Sequence, residues 1–128
     1  MIVLYYIANM ETIQALLSDF KGLDSDAERL EYLIELGKNL PKSSIPDEFI
    51  VPGCASRVWA RSIKTDGLMH FDFASDSSLI RGLLYILRVA LEGKTPQEIN
   101  NINIHELFEK MGFMGLISAN RQVGIKSI

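Results

Sequence analysis

The dipeptide Asp66-Gly67 is the feature that most limits how this 128-residue chain can fold. Asp-Gly between two runs of alternating apolar and polar residues favours a two-residue type I′ turn, which joins antiparallel strands and fixes their pairing. The turn predicts a hairpin with strands over residues 57–65 and 68–74, in which Thr65 lies opposite Leu68. The rest of the chain must therefore pack around a small antiparallel sheet.

This register gives the hairpin two different faces. The outward face carries Arg61 opposite Asp72, an exposed ion pair worth at most about 1 kcal/mol. Trp59 lies on that same outward face, so we interpret it as an anchor for a partner protein, with a core position as the alternative. The opposite face places small residues against large ones and is the predicted core face: Val58, Ala60, Ser62, Met69, Phe71 and Phe73.

Helical periodicity surrounds the hairpin on both sides. Before it, apolar residues spaced three and four apart predict one helix from about Met10 to Lys21, and a capping box that begins at Ser25 predicts a second, which runs to about Leu40. After it, Ser75 or Ser77 caps a long helix that ends before Gly93, with its remaining polar side formed by Ser78, Arg81, Tyr85, Arg88 and Glu92. Further caps at Thr95, Asn103 and Ser118 predict three shorter helical stretches.

These elements predict an α+β domain: a small antiparallel sheet of about three strands, with helices packed on one face. The third strand is expected over residues 48–51. A length of 128 residues and 48% hydrophobic content suit one domain that can bury a core without a metal or disulfide. We assign residues 10–128 to this domain and residues 1–9 to an N-terminal extension, which is either an added strand or an upstream segment.

Composition narrows the classes of function. A net charge of −3 with 13 scattered basic residues provides no basic surface for nucleic acid. The apolar start of the chain is too short to span a membrane, so we expect no membrane partner. The lone cysteine fits a reducing compartment, so we expect a cytoplasmic protein. Neither metal-ligand spacing nor a phosphate-binding glycine loop is present, so we expect no metal, nucleotide or other cofactor on this chain.

The only cysteine, Cys54, lies in a segment that we call the cysteine loop, residues 52–57. Gly53 permits positive φ, and small neighbours at Ala55 and Ser56 leave the thiol accessible. Unpaired cysteines are usually buried and inert, but a Pro-Gly loop at a strand boundary favours a presented thiol. A cysteine hydrolase remains an alternative, and it would require His70 or His105 within hydrogen-bond reach of the thiol.

The residues Gly53-Cys54-x-Ser56-x-Val58-Trp59 resemble the G-C-x-S-x-V-W signature of the SufE family, the sulfur acceptors of SufS-type cysteine desulfurases. The likeness covers about residues 10–128. It also includes Arg29 to Gly37, Ser75-Asp76, Arg81-Gly82-Leu83, Thr95-Pro96, Phe108-Glu109-Lys110 and the last motif, Ser118 to Gly124. Ala119 departs from that last motif, in which the family usually has proline.

The resemblance implies a fold shared with the IscU cluster scaffolds and a role in sulfur transfer. The protein would accept persulfide sulfur from the desulfurase onto Cys54 and stimulate that enzyme. It would then pass the sulfur to a downstream scaffold complex for iron–sulfur cluster assembly. Pyridoxal phosphate is implied on the partner only. The candidates for loop support or partner contact are Gly53, Ser56, Arg57, Trp59, Asp76 and Arg121. A non-catalytic adaptor of a desulfurase remains the second alternative.

Overall fold

The computed structural model describes residues 12–115, and within them the α+β class is confirmed. Helices precede and follow a single β-hairpin, and a short 3₁₀ helix lies at Asp47–Phe49. The strands are β1 (Val58–Thr65) and β2 (Leu68–Ser75). The helices are α1 (Ile13–Lys21), α2 (Asp26–Gly37), α3 (Ser78–Leu91), α4 (Pro96–Asn100) and α5 (Ile104–Met111).

The predicted hairpin register is confirmed. Asp66 and Gly67 have φ values of 54° and 80°, so both central residues of the turn adopt the positive φ that a type I′ turn requires. Thr65 consequently pairs with Leu68, and Arg61 pairs with Asp72 farther along the strands. The turn chemistry alone thus determines which side chains share a face.

The prediction of a third strand over residues 48–51 is wrong, because the described sheet has two strands. Pro46 fixes φ at −57° at the start of the 3₁₀ turn, and the Phe49 N–H then donates to its carbonyl at 3.0 Å. Ile50 follows the turn and makes only an isolated antiparallel bridge with Trp59. Within this segment the N–H groups of Phe49 and Ile50 are therefore satisfied inside the turn, and only the Val51 N–H donates to a strand.

Side-chain caps begin every described α-helix. Thr12, Ser25, Ser77, Thr95 and Asn103 each accept a hydrogen bond from the backbone N–H three residues later. These bonds satisfy donors that have no partner inside the helix. The predicted end of α2 near Leu40 is too late: the helix ends at Gly37, and the next residues continue as a tighter turn in which the Leu40 N–H donates to the Gly37 carbonyl at 3.1 Å.

Helix α3 is the centre of the core, because nine of its fourteen residues are buried. It packs on β2 and crosses α2 at a very short distance. A Cβ built on Gly82 would lie 2.1 Å from the Leu33 carbonyl oxygen, and one on Gly37 would lie 2.7 Å from the Ser78 carbonyl oxygen. Only glycine fits at this crossing, which fixes the position of the N-terminal end of α3.

The predicted core face of the hairpin is covered only in part. Val58 and Phe73 are buried and Ala60 and Phe71 are half-buried against the core, but Ser62 is exposed. Residues 62–68 around the turn are exposed, whereas Met69 is half-buried, and its backbone is hydrogen-bonded to Gly93 and Lys94. No helix in the described residues is long and apolar enough to cross a membrane.

Candidate functional site

Cys54 lies on a turn that leads into β1, as predicted for the cysteine loop. The Val51 N–H donates to the Val58 carbonyl at 2.8 Å and closes the base of the loop, beside the Ile50–Trp59 bridge. Gly53 has φ of 83°, a value that side-chain-bearing residues rarely adopt. The loop is therefore a defined turn, and glycine is required immediately before the cysteine.

The thiol occupies the boundary between the core and solvent. Cys54 is unpaired and half-buried, and it packs against the edge of the main hydrophobic core. Its neighbours Pro52, Gly53 and Ala55 are exposed, whereas Val51 and Ser56 are half-buried. One side of the cysteine is held by the core, and the other is accessible to a partner.

The exit of the cysteine loop is fixed by hydrogen bonds to the backbone of Arg57. Its N–H donates to the Asp76 carboxylate at 3.1 Å, and its carbonyl accepts from the Ser75 hydroxyl at 2.7 Å. The Asp76 N–H also donates to that carbonyl, at 3.3 Å. We call these three contacts the exit clamp. They join the cysteine loop to the last residue of β2 and to the residue that follows it, 18 and 19 residues farther along the chain.

Ser75 is not among the site residues that the sequence indicates, and the periodicity of α3 predicts Arg81 on its polar side. That placement does not expose it: Arg81 is only 8% exposed, and its guanidinium donates from Nη1 to the Ser75 carbonyl at 2.9 Å. The breadth of the apolar stripe on α3 was the available signal, because a helix that buries most of its residues leaves little surface for solvent.

The interpretation of Trp59 as a partner-facing anchor is wrong, because the residue is only 4% exposed. It does lie on the face opposite the main core, where it forms a second buried cluster with Ile45 and Ala74. The indole N–H donates to the Asp47 carboxylate at 3.0 Å. The segment 41–50 folds over this end of the sheet and buries the ring next to the base of the cysteine loop.

Both histidines are paired with carboxylates. The His70 Nδ1 lies 2.6 Å from Glu92 Oε2, and the His105 Nε2 lies 3.2 Å from Glu109 Oε1. Neither ring makes a hydrogen bond to Cys54. Within residues 12–115, no group of three or more His, Cys, Asp or Glu side chains could hold a metal ion. Within the described residues the thiol is therefore not hydrogen-bonded to a histidine.

The remaining site candidates are placed as follows. Gly53 and Ser56 lie on the cysteine loop, and the side chain of Arg57 is exposed there. Asp76 holds the loop exit through the Arg57 N–H. Arg121 lies outside the described residues, as do the predicted last helical stretch and residues 1–9.

A family model matches nearly the whole chain. The SufE model, described as an Fe-S metabolism associated domain, matches residues 14–128. The matched segment includes the cysteine loop, the hairpin and all of α2 to α5. It thus includes every element that positions the thiol.

Individual relatives agree with this match, and one solved structure is similar in fold. An uncharacterised SufE-like protein of Rhizobium meliloti is 36% identical over 126 residues, which cover 93% of this chain and 90% of that protein. The sulfur acceptor protein CsdE of Escherichia coli is 34% identical over 123 residues, covering 91% and 82%. The solution structure of a hypothetical protein from Thermus thermophilus is similar in fold, with a TM-score of 0.69, 18% identity and coverage of 90% and 85%.

Proposed function

Because this chain belongs to the SufE family, we propose that it accepts a sulfur atom from a cysteine desulfurase onto Cys54. The relative from Escherichia coli is named a sulfur acceptor protein, which supports the same role here. The observation that carries the proposal is the position of the chain's only cysteine on an anchored, half-exposed turn. A thiol at that position can meet the active site of another protein.

One thiol is sufficient for this chemistry. The Cys54 thiolate attacks the outer sulfur of a persulfide on the desulfurase, and a bond forms between Cys54 Sγ and that sulfur. The sulfur–sulfur bond of the donor breaks, and the donor cysteine leaves as a thiolate with the bonding electron pair. The products are a Cys54 persulfide and the regenerated donor thiolate, so no external oxidant or reductant takes part.

The partial burial of Cys54 supports a gated transfer. In the described conformation the cysteine packs against the core edge, and the exit clamp holds the loop there. Transfer requires the sulfur to reach into the partner's active site. We therefore propose that docking releases the loop and exposes the thiol, which also limits unwanted reactions of the persulfide between partners.

The proposal extends to the partners named by the family resemblance. The protein stimulates a SufS-type desulfurase, which carries the pyridoxal phosphate, and it hands the sulfur to a scaffold complex that assembles iron–sulfur clusters. A cytoplasmic location belongs to the same proposal, since a reducing compartment keeps a lone thiol free. This chain contributes the thiol and the loop that presents it.

The decisive experiment is mass measurement of the protein after incubation with a cognate desulfurase and cysteine. We expect a mass gain of one sulfur atom, located on Cys54 and removed by a thiol reductant. Cys54→Ser is the matched control and should gain nothing. The absence of this gain in the wild-type protein, or its persistence in Cys54→Ser, would reject the proposal.

The same variant tests the adaptor alternative. A pure adaptor stimulates the desulfurase without carrying sulfur, so Cys54→Ser would keep full stimulation. The sulfur-acceptor proposal expects that variant to lose it. The hydrolase alternative is disfavoured because neither histidine makes a hydrogen bond to Cys54.

A further inference from the structure

Arg81 occupies a position that stability alone does not explain. It is 8% exposed within an α3 segment of buried apolar residues, and none of the ion pairs found among residues 12–115 includes it. A buried cation without a carboxylate partner is costly, and an apolar side chain of similar size is often neutral or better at such a site. Its guanidinium also reaches back to the Ser75 carbonyl, before the start of the helix, where the positive end of the helix dipole disfavours a cation further.

The interaction that Arg81 does make leads to the cysteine loop. Its Nη1 donates to the Ser75 carbonyl at 2.9 Å. The Ser75 hydroxyl donates to the Arg57 carbonyl at 2.7 Å and accepts from the Ser77 N–H at 3.1 Å. Ser75 is fully buried, so its orientation depends on these partners rather than on water.

The stem of Arg81 begins where α2 crosses α3. A Cβ built on Gly37 would lie 3.0 Å from the Arg81 Cβ, which shows how closely α2 crosses this residue. The guanidinium lies at one end of a continuous series of contacts. The series runs from Arg81 through Ser75 to the backbone of Arg57 and so to the exit of the cysteine loop.

We propose that Arg81 is a positioning residue for Cys54: it acts through Ser75 and keeps the exit clamp closed, so that the thiol stays against the core until the loop is released. This inference deepens the proposed sulfur-acceptor function and rests on it for its biological meaning. Its physical content concerns only the accessibility of the thiol in the free protein.

The test is the rate at which iodoacetamide alkylates Cys54 in the free protein, measured for Arg81→Met, Arg81→Lys and wild type. Methionine keeps much of the stem but removes the donor, and we expect the rate to rise at least about tenfold, the lower end of the effect of one hydrogen bond from a charged group. Lysine retains a charged donor and should return the rate to within about twofold of wild type.

Arg88→Met is the matched control, because it makes the same substitution on the same helix. Arg88 lies two turns farther along α3, and its Nε has no hydrogen-bond partner. We expect its alkylation rate to equal that of wild type. Urea unfolding of each variant then separates local opening from global unfolding. If Arg81 only stabilises the fold, the alkylation rate rises no more than the loss in the free energy of unfolding accounts for.

Three results would overturn the inference: no rise in Arg81→Met, a rise fully accounted for by its lower stability, or an equal rise in Arg88→Met. The assay contains no desulfurase, so its failure leaves sulfur transfer to wild-type Cys54 unaffected. Conversely, a wild-type protein that gains no sulfur would reject the proposed function, whatever the alkylation rates are.

Discussion

The crossing of α2 and α3 predicts that Gly82→Ala destabilises the protein. Helix propensity alone predicts the opposite, since alanine is favoured over glycine in a helix interior by about 1 kcal/mol. In the structure, however, the new methyl group would lie 2.1 Å from the Leu33 carbonyl oxygen and 2.7 Å from its carbonyl carbon. Backbone atoms in a packed helix cannot rotate away as a side-chain tip can.

The magnitude follows from the movement required. Ordinary van der Waals contact begins at 3.4 Å, so α2 would have to retreat by more than an ångström along a buried interface. Overpacking of a core costs about 1–3 kcal/mol, and occasionally more. Since the obstacle is backbone, we place the cost at the upper end and expect a net loss of about 2 kcal/mol in the free energy of unfolding.

Urea unfolding followed by far-UV circular dichroism measures this loss. Gly22→Ala is the control, because its Cβ would make an ordinary contact at 3.5 Å with the Asp19 carbonyl oxygen and its φ of −79° suits any residue. We expect that variant to stay within about 0.5 kcal/mol of wild type. A Gly82→Ala protein as stable as wild type, or more stable, would refute the packing argument.

Three further predictions follow from individual contacts. Asp76→Ala removes the acceptor of the Arg57 N–H and should make iodoacetamide alkylation of the thiol about fivefold faster. Asp76→Asn keeps a carbonyl acceptor and should change the rate by no more than about twofold. Equal rates in the alanine variant and wild type would contradict the exit clamp. Trp59→Phe removes the hydrogen bond to Asp47 and should lower the free energy of unfolding in urea by about 1 kcal/mol; no loss would contradict a structural role for the indole. The pKa of the Glu98 carboxyl is lowered from 4.5, first by the hydrogen bond from the Thr95 N–H and then by the Thr95 hydroxyl. The stability that this pair contributes is therefore present above the unfolded-state pKa. It is lost as pH falls through the lowered folded-state pKa. NMR titration should therefore place this pKa below 4.5 and show it rising in Thr95→Ala, and an unchanged value in that variant would contradict the contribution of the hydroxyl.

The features that could be predicted from the sequence depend on residues close together in the chain. The hairpin register follows from Asp66-Gly67 because a two-residue turn leaves one way for the flanking strands to pair. The helix starts follow from capping side chains that bond three residues ahead. The placement of Cys54 on a turn likewise follows from its near neighbours in the chain, Pro52 and Gly53.

The environment of each site residue was decided by segments distant in sequence. Trp59 is buried because residues 41–50 fold over the outer face of the sheet, and no local pattern in β1 shows this. Arg81 is buried because α2 crosses α3 at two glycines. The exit clamp joins Arg57 to Asp76 across the whole hairpin.

The division has one physical reason. Turn and cap preferences arise from backbone geometry and hydrogen bonds within a few residues, so the local sequence predicts them directly. Burial and long-range hydrogen bonds depend on which surfaces meet after the chain has folded. The sequence by itself determined that one thiol would be presented on a turn, whereas only the tertiary structure decided which groups hold that turn closed.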